Sequence, residues 1–141
     1  MATVELRFSA LPEHVRTARL VAAAVARRAG VDESVLDEVR LAVGEACSRA
    51  VSLHQRVGVD GAVRVALTDQ EKRFLIEVED EAGSIGLPAA GPAVGEDADP
   101  EEDTLGLAVI TGLVEDVEVT TGAEGSLIRM SWPLSGVEDV L

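Results

Sequence analysis

Glu45 and Arg49 stand four residues apart in the run Leu41-Ala42-Val43-Gly44-Glu45-Ala46-Cys47-Ser48-Arg49-Ala50-Val51. On a helix that spacing puts both side chains on one face with the acid N-terminal to the base, which suits an ion pair worth roughly 0.2–0.5 kcal/mol. The alternative is functional: Arg49 fills a site where it neutralises Glu45 and Asp80. A guanidinium has five donors and no acceptor, so Arg49 cannot ligate a cation. Cys47, the only cysteine, excludes an internal disulfide and any cysteine-based metal cluster. With no basic partner evident, it is expected to be a small core residue rather than a nucleophile. His14 and His54 have no spacing to each other that would make a metal site, and both are expected at the surface. Three other segments concentrate polar residues and glycines at element ends: Val78-Glu79-Asp80-Glu81-Ala82-Gly83-Ser84-Ile85, Thr104-Leu105-Gly106-Leu107-Ala108-Val109-Ile110 and Gly125-Ser126-Leu127-Ile128-Arg129.

The elements that position these residues follow from periodicity. Residues 3–9 alternate apolar and polar side chains as a half-buried strand does. Pro12 opens a helix in which Ala18, Val21, Ala22, Val25 and Ala29 recur at helical spacing up to Gly30. Asp32 is a good N-cap for a second helix of about twenty residues, carrying Val35, Leu36, Val39, Val43, Ala46, Ala50 and Leu53 on one face. Gly58 and Gly61 interrupt it. Residues 62–68 and 73–79 form a hairpin. Residues 81–103 are expected to be a lid-like acidic loop, holding most of the Gly and Pro of this half and the run Glu96, Asp97, Asp99, Glu101, Glu102, Asp103. A short apolar helix over 105–114 and strands over 117–121 and 127–132 complete an α+β order. It predicts an antiparallel sheet with helices packed on one face in two layers.

At 141 residues, with 47% hydrophobic and 27% charged side chains, the chain is expected to be one globular domain, residues 1–134, with a short tail over 135–141. Residues 74–128 contain no Lys or Arg and fourteen Asp or Glu, while the remainder balances twelve acids against twelve bases. That distribution argues against direct nucleic-acid binding, which needs a basic surface. No apolar run is long enough for a membrane span and no signal peptide opens the chain, so a cytoplasmic location is expected.

Together with Phe8-Ser9-Ala10-Leu11 and Ala18-Arg19, the helix, hairpin-end, short-helix and final-strand segments resemble the bacterial anti-sigma-factor serine kinases. These belong to the GHKL (Bergerat) ATPase superfamily, and the resemblance covers almost the whole chain. It implies their two-layer sandwich, with a mostly antiparallel sheet and helices on one face. In active members a Glu is followed four residues later by an Asn, and these serve as base toward the attacking hydroxyl and as Mg²⁺ ligand. Glu45 is then a vestigial base, and Arg49 at the Asn position abolishes the metal site. The family's Asp-x-Gly-x-Gly reads adenine through the Asp and lets backbone approach the nucleotide at the glycines. Asp80 keeps the first place, but Ala82 and Ser84 replace the glycines. Of the glycine pair whose helix-start amides meet phosphate, Gly106 survives and Thr104 replaces the other. Ser126 matches a family Thr. Asp80, Gly106 and Ser126 thus outline a vestigial nucleotide pocket, while the family's His falls on Leu53.

Arg19 matches an arginine that contacts both the sigma factor and its STAS-domain antagonist, and Arg16 is assigned to the same partner-binding face. The resemblance therefore implies an anti-sigma factor that sequesters a sigma factor and is released by a STAS-domain anti-anti-sigma protein, with a homodimer allowed. No cofactor is expected. ATP and Mg²⁺ enter only under the alternative, a working serine kinase that phosphorylates the STAS partner. Around a nucleotide's charge, the acidic lid would be repulsive rather than neutralising.

Overall fold

A computed structural model describes residues 2–82, 100–114, 116–122 and 125–134 of the chain. Alternation at the start produces β1 (Ala2–Ser9), whose Val4, Leu6 and Phe8 lie opposite the fully buried Leu67, Val65 and Val63 of β2 (Ala62–Asp69). Two helices intervene. Helix α1 (Pro12–Ala29) starts at its proline and stops at Gly30, whose φ of 107° is the left-handed geometry that favours glycine. Its Ala18, Ala22 and Ala26 are buried at a spacing of four, a small-residue stripe that brings it close to the next helix. Helix α2 (Glu33–Val57) is capped by the Asp32 carboxylate, which accepts the Ser34 N–H at 2.9 Å, and ends at Gly58.

Strand β3 (Arg73–Asp80) follows β2 through a tight turn. Helix α3 (Pro100–Leu113), β4 (Asp116–Gly122) and β5 (Gly125–Pro133) complete the described chain. The sheet is wholly antiparallel in the order β1-β2-β3-β5-β4. Its inner face, with Val65, Leu67, Phe74, Ile76, Ile128 and Met130, joins Val39, Val43 and Cys47 of α2 in one core. The outer face carries ion-pair rows across the strands, Glu5–Arg64–Glu79 and Glu77–Arg129–Glu118. The expected two-layer α+β architecture is the observed one.

Two expectations are corrected. The apolar helix expected over 105–114 begins at Pro100 and takes in Glu101, Glu102 and Asp103, so these three acids lie outside any loop. Proline suits the first helical position and carboxylates suit the first turn, where the helix dipole is positive. Helix α2 runs a turn beyond Leu53, which buries His54 to 1% exposure instead of leaving it at the surface. His54 continues the stripe of Cys47 and Ala50 at helical spacing, and its ring fills a core position. The remainder of the expected lid, residues 83–99, and the tail over 135–141 lie outside the described residues.

Candidate functional site

The pairing of β3 with β5 brings Asp80, the last residue of β3, directly opposite Ser126. Gly125 makes this approach possible: its φ is 149°, and a Cβ there would stand 1.9 Å from the Asp80 carbonyl oxygen. Asp80 is 4% exposed, so its carboxylate must find partners inside the protein. Its Oδ1 accepts the backbone N–H groups of Ala82 at 3.0 Å and Ser126 at 3.2 Å, and its Oδ2 accepts the Ser126 hydroxyl. Arg49 reaches across from α2. Its Nη1 donates to Ser126 Oγ at 3.4 Å and lies 3.9 Å from Asp80 Oδ2. Burial lowers the Arg49 pKa; the nearby Asp80 charge opposes that shift and Arg56 reinforces it.

Sequence reading gave Arg49 two versions, a plain ion pair with Glu45 or a filler of the vacated metal position that neutralises Glu45 and Asp80. Among the described residues the structure places Arg49 beside Asp80 but not in an ion pair with Glu45. Arg49 pairs with Asp80 and Ser126, and Glu45 sits half-buried one turn earlier on α2. A helix would permit the i, i+4 pair, but the guanidinium gains more beside the buried Asp80 carboxylate than beside the half-buried Glu45.

The donor set does not fit a magnesium ion. Arg49 offers donors only, and among the described residues no three His, Cys, Asp or Glu side chains converge as a metal site. Thr104 and Gly106 fall inside α3, beyond the first turn opened by Pro100. Only first-turn amides lack a helical partner, so these two are not placed as free phosphate donors. Ser84 lies outside the described residues. Beside Asp80 and Ser126 opens a cavity of about 810 Å³, also lined by Thr120, Thr121, Gly122, Gly125, Leu127 and two further acids, Glu79 and Glu81. Among the described residues no basic side chain lines it.

His54 belongs to this region although sequence reading assigned it nothing. Its Nε2 accepts the Glu81 backbone N–H at 2.8 Å, which fixes the chain just after β3. An accepting nitrogen carries no proton, so the ring is the Nδ1–H tautomer. The available signal was its place seven residues after Cys47 on the buried stripe. Cys47 itself is buried, and burial pushes its thiol up to about 12, in keeping with a core residue.

Arg16 and Arg19 sit elsewhere, exposed on α1. They line a groove of about 360 Å³ between α1 and α2 together with Val15, Ser48, Val51 and Gln55. The Arg19 stem lies over Gly44, where an added Cβ would come within 2.7 Å of its Cδ. Glycine next to Glu45 therefore holds Arg19 against α2. The same helix thus presents one face to the groove and, through Arg49 and His54, another to the end of β3.

Comparison with known proteins agrees with this fold. The histidine kinase-like ATPase domain profile matches residues 8–132. The serine-protein kinase RsbW of Bacillus pumilus is 32% identical over 124 residues, covering 82% of this chain and 76% of that protein. RsbW of Listeria monocytogenes is 31% identical over 122 residues, covering 82% and 78%. RsbW of Bacillus subtilis is 27% identical over 139 residues, covering 94% and 86%. Among solved structures, the crystal structure of the RsbU and RsbW domains of a Mycobacterium tuberculosis protein matches with a TM-score of 0.69 at 20% identity. That match covers 95% of this chain and 33% of the other, so this chain corresponds to about a third of that protein. The chain belongs to the histidine kinase-like ATPase domain family, among relatives named RsbW serine-protein kinase. Among the described residues no helix is long and apolar enough to cross a membrane.

Proposed function

We propose that this family member is a cytoplasmic anti-sigma factor that sequesters a sigma factor and is released by a STAS-domain anti-anti-sigma protein, without binding ATP or transferring phosphate. The observation that carries the second half is the Arg49 guanidinium beside Asp80 and Ser126. An adenine amino group seeking the Asp80 carboxylate would compete with the Ser126 hydroxyl and two backbone amides already donating to it. A triphosphate would meet Glu81 at the cavity, beside a Glu79 whose charge Arg64 already offsets, without a metal ligand at position 49 to help neutralise it. Partner binding needs none of this chemistry. It needs the α1–α2 groove with Arg16 and Arg19, a geometry suited to an acidic or mixed partner surface through arginine contacts.

The relatives' name favours one alternative, a working protein serine kinase that phosphorylates the STAS partner. Under it Glu45 acts as base, and Arg49 must swing away to admit nucleotide. Calorimetric titration with ATP and Mg²⁺ separates the two. The proposal expects no heat of binding at tens of micromolar, and a tight, metal-dependent isotherm overturns it. Pull-down of a sigma factor and a STAS protein from the native lysate, with binding lost on Arg19→Ala, tests the partner half. Intact binding to both partners in that variant removes Arg19 from the interface.

A further inference from the structure

We propose that the cleft at the far end of the sheet from Asp80 binds a zwitterionic ligand of the α-amino-acid type, with its ammonium at Glu38, its carboxylate at Arg73 and its apolar side chain along Val35, Trp132 and Pro133. Arg73 opens β3 and Asp80 closes it, which at about 3.3 Å per residue puts the two places roughly 23 Å apart. The cleft shares no lining residue with the α1–α2 groove either, so the proposal does not rest on the function above.

Four elements meet at this end. Val35 and Glu38 stand on the first turns of α2, Arg73 starts β3, Asp116 starts β4, and Trp132 and Pro133 close β5. They border a cleft of about 600 Å³, a size usual for small-molecule sites, which combine apolar walls with a few placed polar groups. Trp132 is the chain's single tryptophan and is 3% exposed. Its Nε1 donates to Glu38 Oε1 at 3.0 Å, so a buried indole fixes how the half-buried carboxylate is turned. Among the described residues Arg73 is the one base lining the cleft, and it is engaged with Asp116 at 3.4 Å. Glu38 is thereby left without a counter-ion in the cleft.

Arg73 is aimed as firmly. Its Nε donates to Ser131 Oγ at 3.0 Å and its Nη2 to the Ser131 carbonyl at 3.3 Å, while Ser131 Oγ donates to Asp116 Oδ2 at 2.8 Å. These bonds leave Arg73 Nη1 to donate and Glu38 Oε2 to accept. A ligand that uses both must carry a cation and an anion together. Formal charge points the same way, because Glu38, Asp116 and Arg73 sum to −1 and a plain anion would stand beside two acids. A plain amine would satisfy Glu38 and leave Arg73 Nη1 unused. An ammonium set against a half-buried, pre-oriented carboxylate forms the stronger, charge-assisted kind of hydrogen bond.

The single indole supplies the test. Its N–H gives one resonance in the nitrogen-15-labelled full chain, and that N–H is bonded to Glu38. L-leucine and L-phenylalanine are titrated, with N-acetyl-L-leucine lacking the ammonium and L-leucinamide lacking the carboxylate. At least one of the two amino acids should shift the resonance saturably with a dissociation constant near about 1 mM, and each leucine derivative should bind about tenfold more weakly or worse. Glu38→Gln keeps an acceptor for the indole and removes the charge, and should cost about tenfold in affinity. The derivatives decide the question by themselves if that variant does not fold. No saturable shift with either amino acid up to roughly 20 mM, a derivative binding as well as its parent, or unchanged affinity in a folded Glu38→Gln protein each overturns the proposal.

Discussion

The contact between Arg49 and Asp80 can be measured as a coupling energy, using Asp80→Asn and Arg49→Met. Asparagine retains an Oδ1 acceptor for the Ala82 and Ser126 amides, so the change removes charge rather than the hydrogen-bond scaffold. Methionine keeps much of the arginine stem and removes its charge. At 3.9 Å, Coulomb attraction with an effective dielectric of about 20 bounds the pair at about 4 kcal/mol. The intervening Ser126 hydroxyl and the cost of desolvating two ions reduce the net coupling to about 1–3 kcal/mol. Asp80→Asn alone, stranding a mostly buried guanidinium, should cost about 2–3 kcal/mol. Arg49→Met alone should cost about 0.5–1.5 kcal/mol, because Asp80 keeps three donors. In the Arg49→Met background, Asp80→Asn should then cost about 2 kcal/mol less than in wild type. Urea unfolding reads this directly, since slopes of about 1–3 kcal/mol per molar turn such differences into midpoint shifts of a molar or so. Additive costs, within about 0.5 kcal/mol, would refute the view that Arg49 is the counter-ion of Asp80.

Other consequences follow for the helices and the core. Arg19→Ala should weaken binding to the sigma factor or the STAS protein by about 1–3 kcal/mol, measured by calorimetry, with an unchanged urea midpoint because the residue is exposed. Gly44→Ala should hold or raise thermal stability by up to about 1 kcal/mol through helix propensity. It should nevertheless weaken the same partner binding, because the new methyl displaces the Arg19 stem now 2.7 Å from its position. Cys47 should resist thiol reagents at pH 8 in native protein and react once urea unfolds it. The thiol's ordinary value of 9.0 applies to the unfolded chain and about 12 to the folded one. Between these values the unfolded state holds fewer protons, so stability should fall by about 1.4 kcal/mol per pH unit, a component of the slope that Cys47→Ala removes.

Local rules made most of the fold legible. Alternation marked β1, β2, β3 and β5, Asp32 and Gly30 marked helix ends, and Pro12 marked a start, because each of these signals acts within a few residues. The start of α3 escaped because a glycine- and proline-rich acidic stretch looks like loop until Pro100 is taken as a first helical residue. His54 escaped because an apolar periodicity gives a histidine no weight, although its ring occupies the next position of the stripe. The Arg49–Ser126 contact joins residues 77 apart, and no local pattern reports it. Sequence reading paired Arg49 with Glu45 in either version, with Asp80 added in one, and the packing of α2 against the β3–β5 pair brings it to Asp80 alone.

That packing also changes what the presence of Asp80 means. The resemblance makes it an adenine reader, yet its two oxygens serve Ala82, Ser126 and Arg49 without any ligand. A carboxylate buried at the end of β3 needs such donors wherever it occurs, because an unpartnered charge there costs several kcal/mol. The two backbone amides it accepts tie the segment after β3 to the start of β5, and His54 ties the next peptide to α2. Asp80 therefore has a structural task that would keep it in place with or without nucleotide binding, and its presence alone is not evidence for ATP. The informative position is 49, where the side chain decides between a metal ligand and an internal cation. Arg49→Asn is the direct test: it restores an acceptor and removes the counter-ion. If closure by Arg49 is what blocks the pocket, calorimetry should show weak Mg²⁺-dependent ATP heat in this variant and none in wild type. No heat in either protein would mean that the replaced glycines, or the acid Glu81, suffice to exclude nucleotide without Arg49.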